Sequence, residues 1–209
     1  MSILMVLHND KVAMIQSDGR VSRRAVAGTV EVVKEDEPKF RVLREHRLVL
    51  GGTGREDIIF QVTAKIVEYI SGKEDVAFED LSWRVGEIAK SCFTEYPDRE
   101  NSTLSIVLIG YDEHRNLVRC ISFMDEDGFL PFEREQGVYA FGPNGLAQPW
   151  CDRLTGLLQR HTGSFAPEVV WRAMDIVQGE AAAQHPGVNT VPFRALIRVP
   201  EGDTAPSGV

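Results

Sequence analysis

Two apolar runs near the start of the chain, ILMVL at residues 3–7 and KVAMIQ at residues 11–16, are separated by a break that carries Asn9 and Asp10. Strand-length apolar runs joined by an Asn-Asp turn predict a hairpin. The first run is apolar at successive positions, not at alternate ones. Side chains along a strand point to opposite faces in turn, so such a strand must be covered on both sides. That demand excludes a sheet with one solvated face and calls for a layer of structure above and below. The run has no basic stretch before it and breaks at His8, so it is too short for a signal peptide's apolar region or a membrane span.

The rest of the chain supplies material for those layers. After a glycine- and acid-rich passage at 28–38, a second pair of strands is expected at 39–43 and 47–50. The period then changes to helical. Thr53 and Glu56 stand at capping-box spacing ahead of a stripe of Ile59, Val62, Ile66 and Ile70, and Gly72 stops the helix. Phe78, Leu81, Val85, Ile88 and Cys92 repeat the pattern in a second helix. The stretches TLSIVLIGY, LVRCISF and GVYAF predict a second run of sheet. Helical spacing returns at Trp150, Leu154 and Leu157, and again in PEVVWRAMDIVQGEAAA, where Pro167 suits a first turn. A last strand is expected within 191–199, where Pro192 marks an edge or a strand start, before a polar tail at 200–209 expected to be disordered.

Two sheets with doubly buried strands and four amphipathic helices predict an α+β, four-layer α/β/β/α sandwich in one domain over residues 1–199. A Rossmann fold is the main competitor, but GGTG lacks the dinucleotide spacing and strict strand-helix alternation is absent. The chain has 209 residues, 43% hydrophobic and 26% charged, with a net charge of -8. Those values fit a soluble domain and argue against a nucleic-acid face, since no Lys/Arg cluster exceeds the pair Arg23 and Arg24. Cys92, Cys120 and Cys151 lie far apart among apolar residues with no CxxC pairing, which suits a reducing cytoplasm.

The element order and the first quarter of the sequence resemble the proteasome β-subunit-like N-terminal nucleophile (Ntn) hydrolase family. In that family a threonine, or in related hydrolases a serine, starts the first strand, and an acid closes the second ahead of an arginine and a hydrophobic-hydroxyl pair. Here Ser2 stands at the nucleophile position, and SDGRVS supplies Asp18, Arg20, Val21 and Ser22 in matching order. PKFRVLREHRLVLGGTG resembles the passage that carries the family's lysine, with Lys39 at that position and Gly51 at the strand-to-helix glycine. Between Ser22 and Lys39 the chain is a few residues longer than the family's usual spacing, so Lys34 is a second candidate; Lys39 is preferred because KFRVL runs into the glycine joint. Towards the C terminus the pattern departs. Pro143 stands where the family has a hydroxyl, and His185 and Val188 stand where it has an acid and a serine.

The resemblance implies a specific chemistry. A serine hydroxyl attacks only if a base takes its proton. The α-amine of Ser2, with an ordinary pKa of about 7.7–8, would be that base once Met1 is removed. Lys39 would favour the neutral amine and the alkoxide, Asp18 would hold Lys39, and the Gly51 amide would stabilise the oxyanion. Three readings follow: a peptidase or amidase in a self-compartmentalising ring, a catalytically silent ring subunit that binds or scaffolds, and a small-amide hydrolase with a closed pocket. For the first, the implied partners are a peptide or unfolded-protein substrate, further copies of the chain and a possible ATPase, with no cofactor, metal, nucleic acid or membrane.

Overall fold

A computed structural model describes residues 2–24, 30–43, 47–73, 75–142, 147–160 and 166–200. The strands in chain order are β1 (Leu4–His8), β2 (Val12–Ser17), β3 (Val21–Arg24), β4 (Val30–Lys34), β5 (Phe40–Leu43) and β6 (Leu48–Gly54). After helices α1 (Glu56–Ile70) and α2 (Phe78–Thr94) come β7 (Leu104–Asp112), β8 (Leu117–Met124), β9 (Phe132–Glu133) and β10 (Gly137–Phe141). Helices α3 (Ala147–Gln159) and α4 (Pro167–Gln184) precede β11 (Phe193–Arg198).

One antiparallel sheet has the order β10-β1-β2-β11 and another the order β5-β6-β7-β8-β9. The apolar pattern of β1 is resolved by alternation. Leu4 and Val6 pack between the sheets with Val49, Val107, Ile109 and Cys120, while Ile3 and Met5 pack outward against Trp150, Leu154, Val170, Met174 and Val177 of α3 and α4. The second sheet behaves alike: Leu50, Ile106, Leu108 and Phe123 turn outward under Ile58, Val62, Ile66, Leu81 and Val85 of α1 and α2. Four layers result, in the order α1/α2, second sheet, first sheet, α3/α4. Each fully buried aliphatic side chain contributes about 1.5–3 kcal/mol relative to exposure, so both faces of β1 are worth covering.

Hairpin β1–β2 lies at the centre of its sheet, with Val6 opposite Ile15. Asn9 Oδ1 closes the turn by accepting the Lys11 and Val12 N–H groups at 2.8 and 3.0 Å. The second helix buries Phe78, Leu81, Val85, Ile88 and Cys92 as the spacing predicts, and β11 lies at an edge beside β2. Gly72, at φ +75°, follows the end of α1 in the left-handed region that favours glycine.

Several expectations are corrected. The strands do not sort into sheets by chain order: β5 and β6 join β7 and β8, and GVYAF, as β10, returns to the first sheet beside β1. Local pattern marks a strand but not its neighbour, and β10 covers the edge that β1 would otherwise expose. The passage at 28–38 contains β4, which pairs with β3 in a separate two-stranded hairpin. Thr53 belongs to β6 and makes no capping box; Arg55 precedes α1 with no side-chain cap. The fully buried isoleucine of the first turn is Ile58, with Ile59 only partly buried, and in α3 Leu158 is buried where Leu157 is not. Residues 201–209 of the expected tail, and Pro143, lie outside the described residues.

Candidate active site

Ser2 is partly buried and immediately precedes β1. Asp18 ends β2's run into a turn and is completely buried. One carboxylate oxygen accepts the Ile3 N–H at 2.9 Å and the other the Arg20 N–H at 2.9 Å, while the Asp18 N–H donates to the Ile3 carbonyl at 3.3 Å. Asp18 therefore grips the residue that follows Ser2 from both sides. On the other flank, a Cβ built on Gly142 would lie 3.3 Å from the Ser2 carbonyl and 2.8 Å from the Trp150 ring, so the end of β10 backs Ser2 closely.

Lys39, at the threshold of β5, is 8% exposed. Its N–H donates to Ser17 Oγ at 3.1 Å and its carbonyl accepts the Gly52 N–H at 2.9 Å, which stitches it between the ends of β2 and β6. Burial pushes its ammonium below the usual lysine range, and the Asp18 charge, then Glu56, pulls it back up. Burial likewise raises the Asp18 carboxyl, opposed by the Ile3 N–H, Lys39 and the Arg20 N–H. The two charges act on each other through the low-dielectric interior; no ion pair within 4 Å joins them. Lys34 is elsewhere: it sits on β4, half exposed, paired with Glu37 at 3.2 Å.

Gly51 lies inside β6, opposite Phe40 on one side and Val107 on the other. A Cβ there would come within 3.1 Å of Leu4 Cδ2 and 3.0 Å of Phe40 Cβ, so the glycine lets the two sheets approach. Amide direction alternates along a strand. Since the Gly52 N–H turns to Lys39, that of Gly51 turns the other way, into the ladder with β7. The next amide on the Lys39 side is that of Gly54, where β5 no longer covers β6. Gly54 has φ +116°, and a Cβ there would stand 2.0 Å from the Thr103 carbonyl, so no other residue fits without rearrangement.

The loop after α4 reaches the same turn, but not through His185 and Val188. His185 packs edge-on to Trp150 at 5.6 Å, and Val188 is 1% exposed within the α3/α4 core. Contact with the Asp18 turn comes instead from Asn189, whose Oδ1 accepts the Gly19 N–H at 3.0 Å and whose Nδ2 donates to Glu35 at 2.7 Å. Arg20 adds an ion pair to Glu35 at 2.9 Å and a hydrogen bond to the Pro186 carbonyl at 2.6 Å. Nothing in GVNT announces this role, because its partners lie 154 and 170 residues earlier. Ser17 was legible only as the neighbour of Asp18.

An antiparallel double sheet between two helical pairs, in this order of elements, is a proteasome β-subunit-like fold. Solved structures with this fold align over nearly the whole chain. Eukaryotic HslV from Trypanosoma brucei matches with TM-score 0.64 at 14% identity, covering 94% of this chain and 99% of that one. Anbu in a Gly-1 mutant from Hyphomicrobium sp. strain MC1 gives TM-score 0.70 at 12% identity, over 95% and 82% of the two chains. Anbu, described as an ancestral beta-subunit, from Yersinia bercovieri gives 0.69 at 11%, over 94% and 81%. No protein-family model matches the sequence, and no curated protein matches it.

Proposed function

We propose that the chain is a proteasome-like N-terminal nucleophile hydrolase that cleaves peptide bonds through an acyl-enzyme on Ser2 once Met1 has been removed. The observation that carries this reading is the Asp18 carboxylate, held at 2.9 Å on the Ile3 amide directly behind Ser2, with buried Lys39 beside it. The free Ser2 amine takes the hydroxyl proton as Oγ bonds to the substrate carbonyl carbon. The oxyanion so formed is met by a backbone amide of the glycine joint at 51–54. The ammonium then protonates the leaving nitrogen as the C–N bond breaks, and water, deprotonated by the same amine, releases the acyl group from Oγ. Lys39 opposes protonation of the amine and stabilises the alkoxide, while Asp18 fixes the start of β1.

Intact mass of the protein from its own host, before and after a β-lactone or epoxyketone probe, tests the reading. Loss of Met1 followed by one covalent adduct on Ser2 supports it. Processed protein that neither takes the probe nor cleaves a peptide library overturns it. The catalytically silent ring subunit is the second reading, favoured by apolar, buried Val188 where the family carries a hydroxyl.

A bell-shaped dependence of kcat/KM on pH is expected. Activity falls on the acid side as the Ser2 amine, of ordinary pKa about 7.7–8, becomes protonated. On the alkaline side it falls below the ordinary lysine value of 10.5, because burial lowers the Lys39 pKa. An alkaline limb at or above that value removes Lys39 from the mechanism.

We also infer association of the chain with itself. Phe60 and Val67 on α1 and Trp83 on α2 are exposed apolar groups on the outer helical layer. Light scattering at micromolar concentration should give an oligomer; a stable monomer refutes the inference. Three free cysteines support a reducing, cytoplasmic setting. Among the described residues no helix is long and apolar enough to cross a membrane.

A further inference from the structure

At the opposite end of β1 from Ser2, about 20 Å away at about 3.3 Å per residue, an open cavity of about 380 Å³ is lined by His8, Asp10, Arg119, Arg134 and Glu135 among others. His8 is 4% exposed, and among the described residues neither ring nitrogen has a hydrogen-bond partner. The backbone of Glu135 is near enough to favour the charged form but falls short of hydrogen-bond geometry; burial outweighs it and pushes the imidazole below 6.5. A neutral imidazole offers one donor and one acceptor, and leaving both unmade in a folded core is costly. The ring is held by stacking on Tyr139 at 5.8 Å.

The charges around His8 divide into those already used and those left open. Arg119 is used: it meets Glu133 twice at 2.7 Å, Glu79 at 2.8 Å and Asp112 at 2.9 Å. Of its side-chain N–H groups Arg134 commits Nε, to Ser122 Oγ at 2.8 Å, and its guanidinium lies 4.9, 5.4 and 6.0 Å from the ring centres of Phe132, Tyr139 and Phe141. Its terminal N–H groups find no acceptor among the described residues, and the Asp10 and Glu135 carboxylates find no donor there. A simple anion would face two open carboxylates, and a simple cation would face the open guanidinium. A ligand that carries both charges meets neither penalty.

We propose that this cavity binds a small zwitterion of the free α-amino-acid class. Its carboxylate lies on the Arg134 fork, its ammonium faces Asp10 and Glu135, and His8 completes the polar contacts at the floor. The site needs neither Ser2 nor hydrolysis, so it stands apart from the function proposed above.

Full-length protein is titrated calorimetrically with glycine, L-leucine and L-phenylalanine to about 10 mM, and in parallel with the N-acetyl and carboxamide form of each. At least one free amino acid should bind and shift the His8 ring signals in a ¹⁵N-histidine spectrum, assigned by their loss in His8→Phe. Blocking either end should weaken binding about tenfold or more. Arg134→Gln should do the same, and so should His8→Phe, which keeps the stacked ring and removes only the nitrogens. Ser2→Ala should leave binding unchanged. Absence of binding by all three amino acids overturns the proposal, as does equal binding of the blocked forms or unaltered affinity in folded His8→Phe.

Discussion

Ser2→Ala, in protein whose Met1 has been removed, is expected to lower peptide hydrolysis about 10³-fold or more, with the melting temperature and circular dichroism unchanged. The lost atom is the one that bonds to substrate. Stability is spared because Ser2 lies ahead of β1 and is only partly buried. Ser2→Thr keeps hydroxyl and amine and should retain activity. Lys39→Ala should be nearly as damaging as Ser2→Ala, since it removes the positive charge that favours the neutral amine and the alkoxide. It should also destabilise the fold, because completely buried Asp18 loses the Lys39 charge that compensates it. Lys34→Ala, by contrast, removes only an exposed partner of Glu37 and should leave turnover alone. Peptidase rates and melts on the four purified variants decide the matter: Ser2→Ala with full activity ends the nucleophile assignment, and Lys34→Ala with the larger loss moves the lysine role to β4.

The largest effect on stability is expected at Arg119. Its guanidinium is 5% exposed and serves Asp112, Glu79 and Glu133 together, with Asp112 entirely buried. Arg119→Ala leaves that carboxylate with only the backbone N–H groups of His114 and Arg115, at 3.0 and 3.2 Å, and the distant Arg115 guanidinium at 3.9 Å. Breaking a buried pair from one side costs about 3–5 kcal/mol, readable as a fall in the denaturant midpoint. Asp112→Asn in the Arg119→Ala background should recover part of the loss, because a neutral amide is cheaper to bury than an unpaired charge. A loss below about 1 kcal/mol would show that the cluster behaves as a surface network. The pH dependence has a definite sign. Arg119 holds the Glu133 carboxyl below its ordinary value of 4.5, so this pair stabilises fully above that value and the contribution is lost as pH falls through the lower, folded value. In Arg119→Ala that acid limb should shrink.

Along single elements the sequence was a good guide. The apolar run at β1 demanded two covering layers, and each layer is there, because alternation along a strand leaves only two directions for its side chains. The stripe on α2 named its buried residues, because helical spacing places them on one face whatever they pack against. Asp18 and Lys39 stood out through their order after Ser2. Asn189 did not, and neither did the open pair of charges at Asp10 and Arg134, since each matters only through residues far along the chain. Gly51 shows the limit sharply: Gly51, Gly52 and Gly54 look alike in GGTG, yet their amides point to opposite edges of β6.

Local spacing by itself determined the number and kind of most elements, the central hairpin and the requirement for a sandwich. Tertiary structure alone decided that β10 closes the open edge of β1, that β3 and β4 form a hairpin of their own, and which amide of β6 faces the lysine. The division has one physical cause. Burial periodicity is a property of a short segment and can be read within it, whereas strand partners, amide direction and charge compensation depend on groups that only the folded chain brings within a few ångströms.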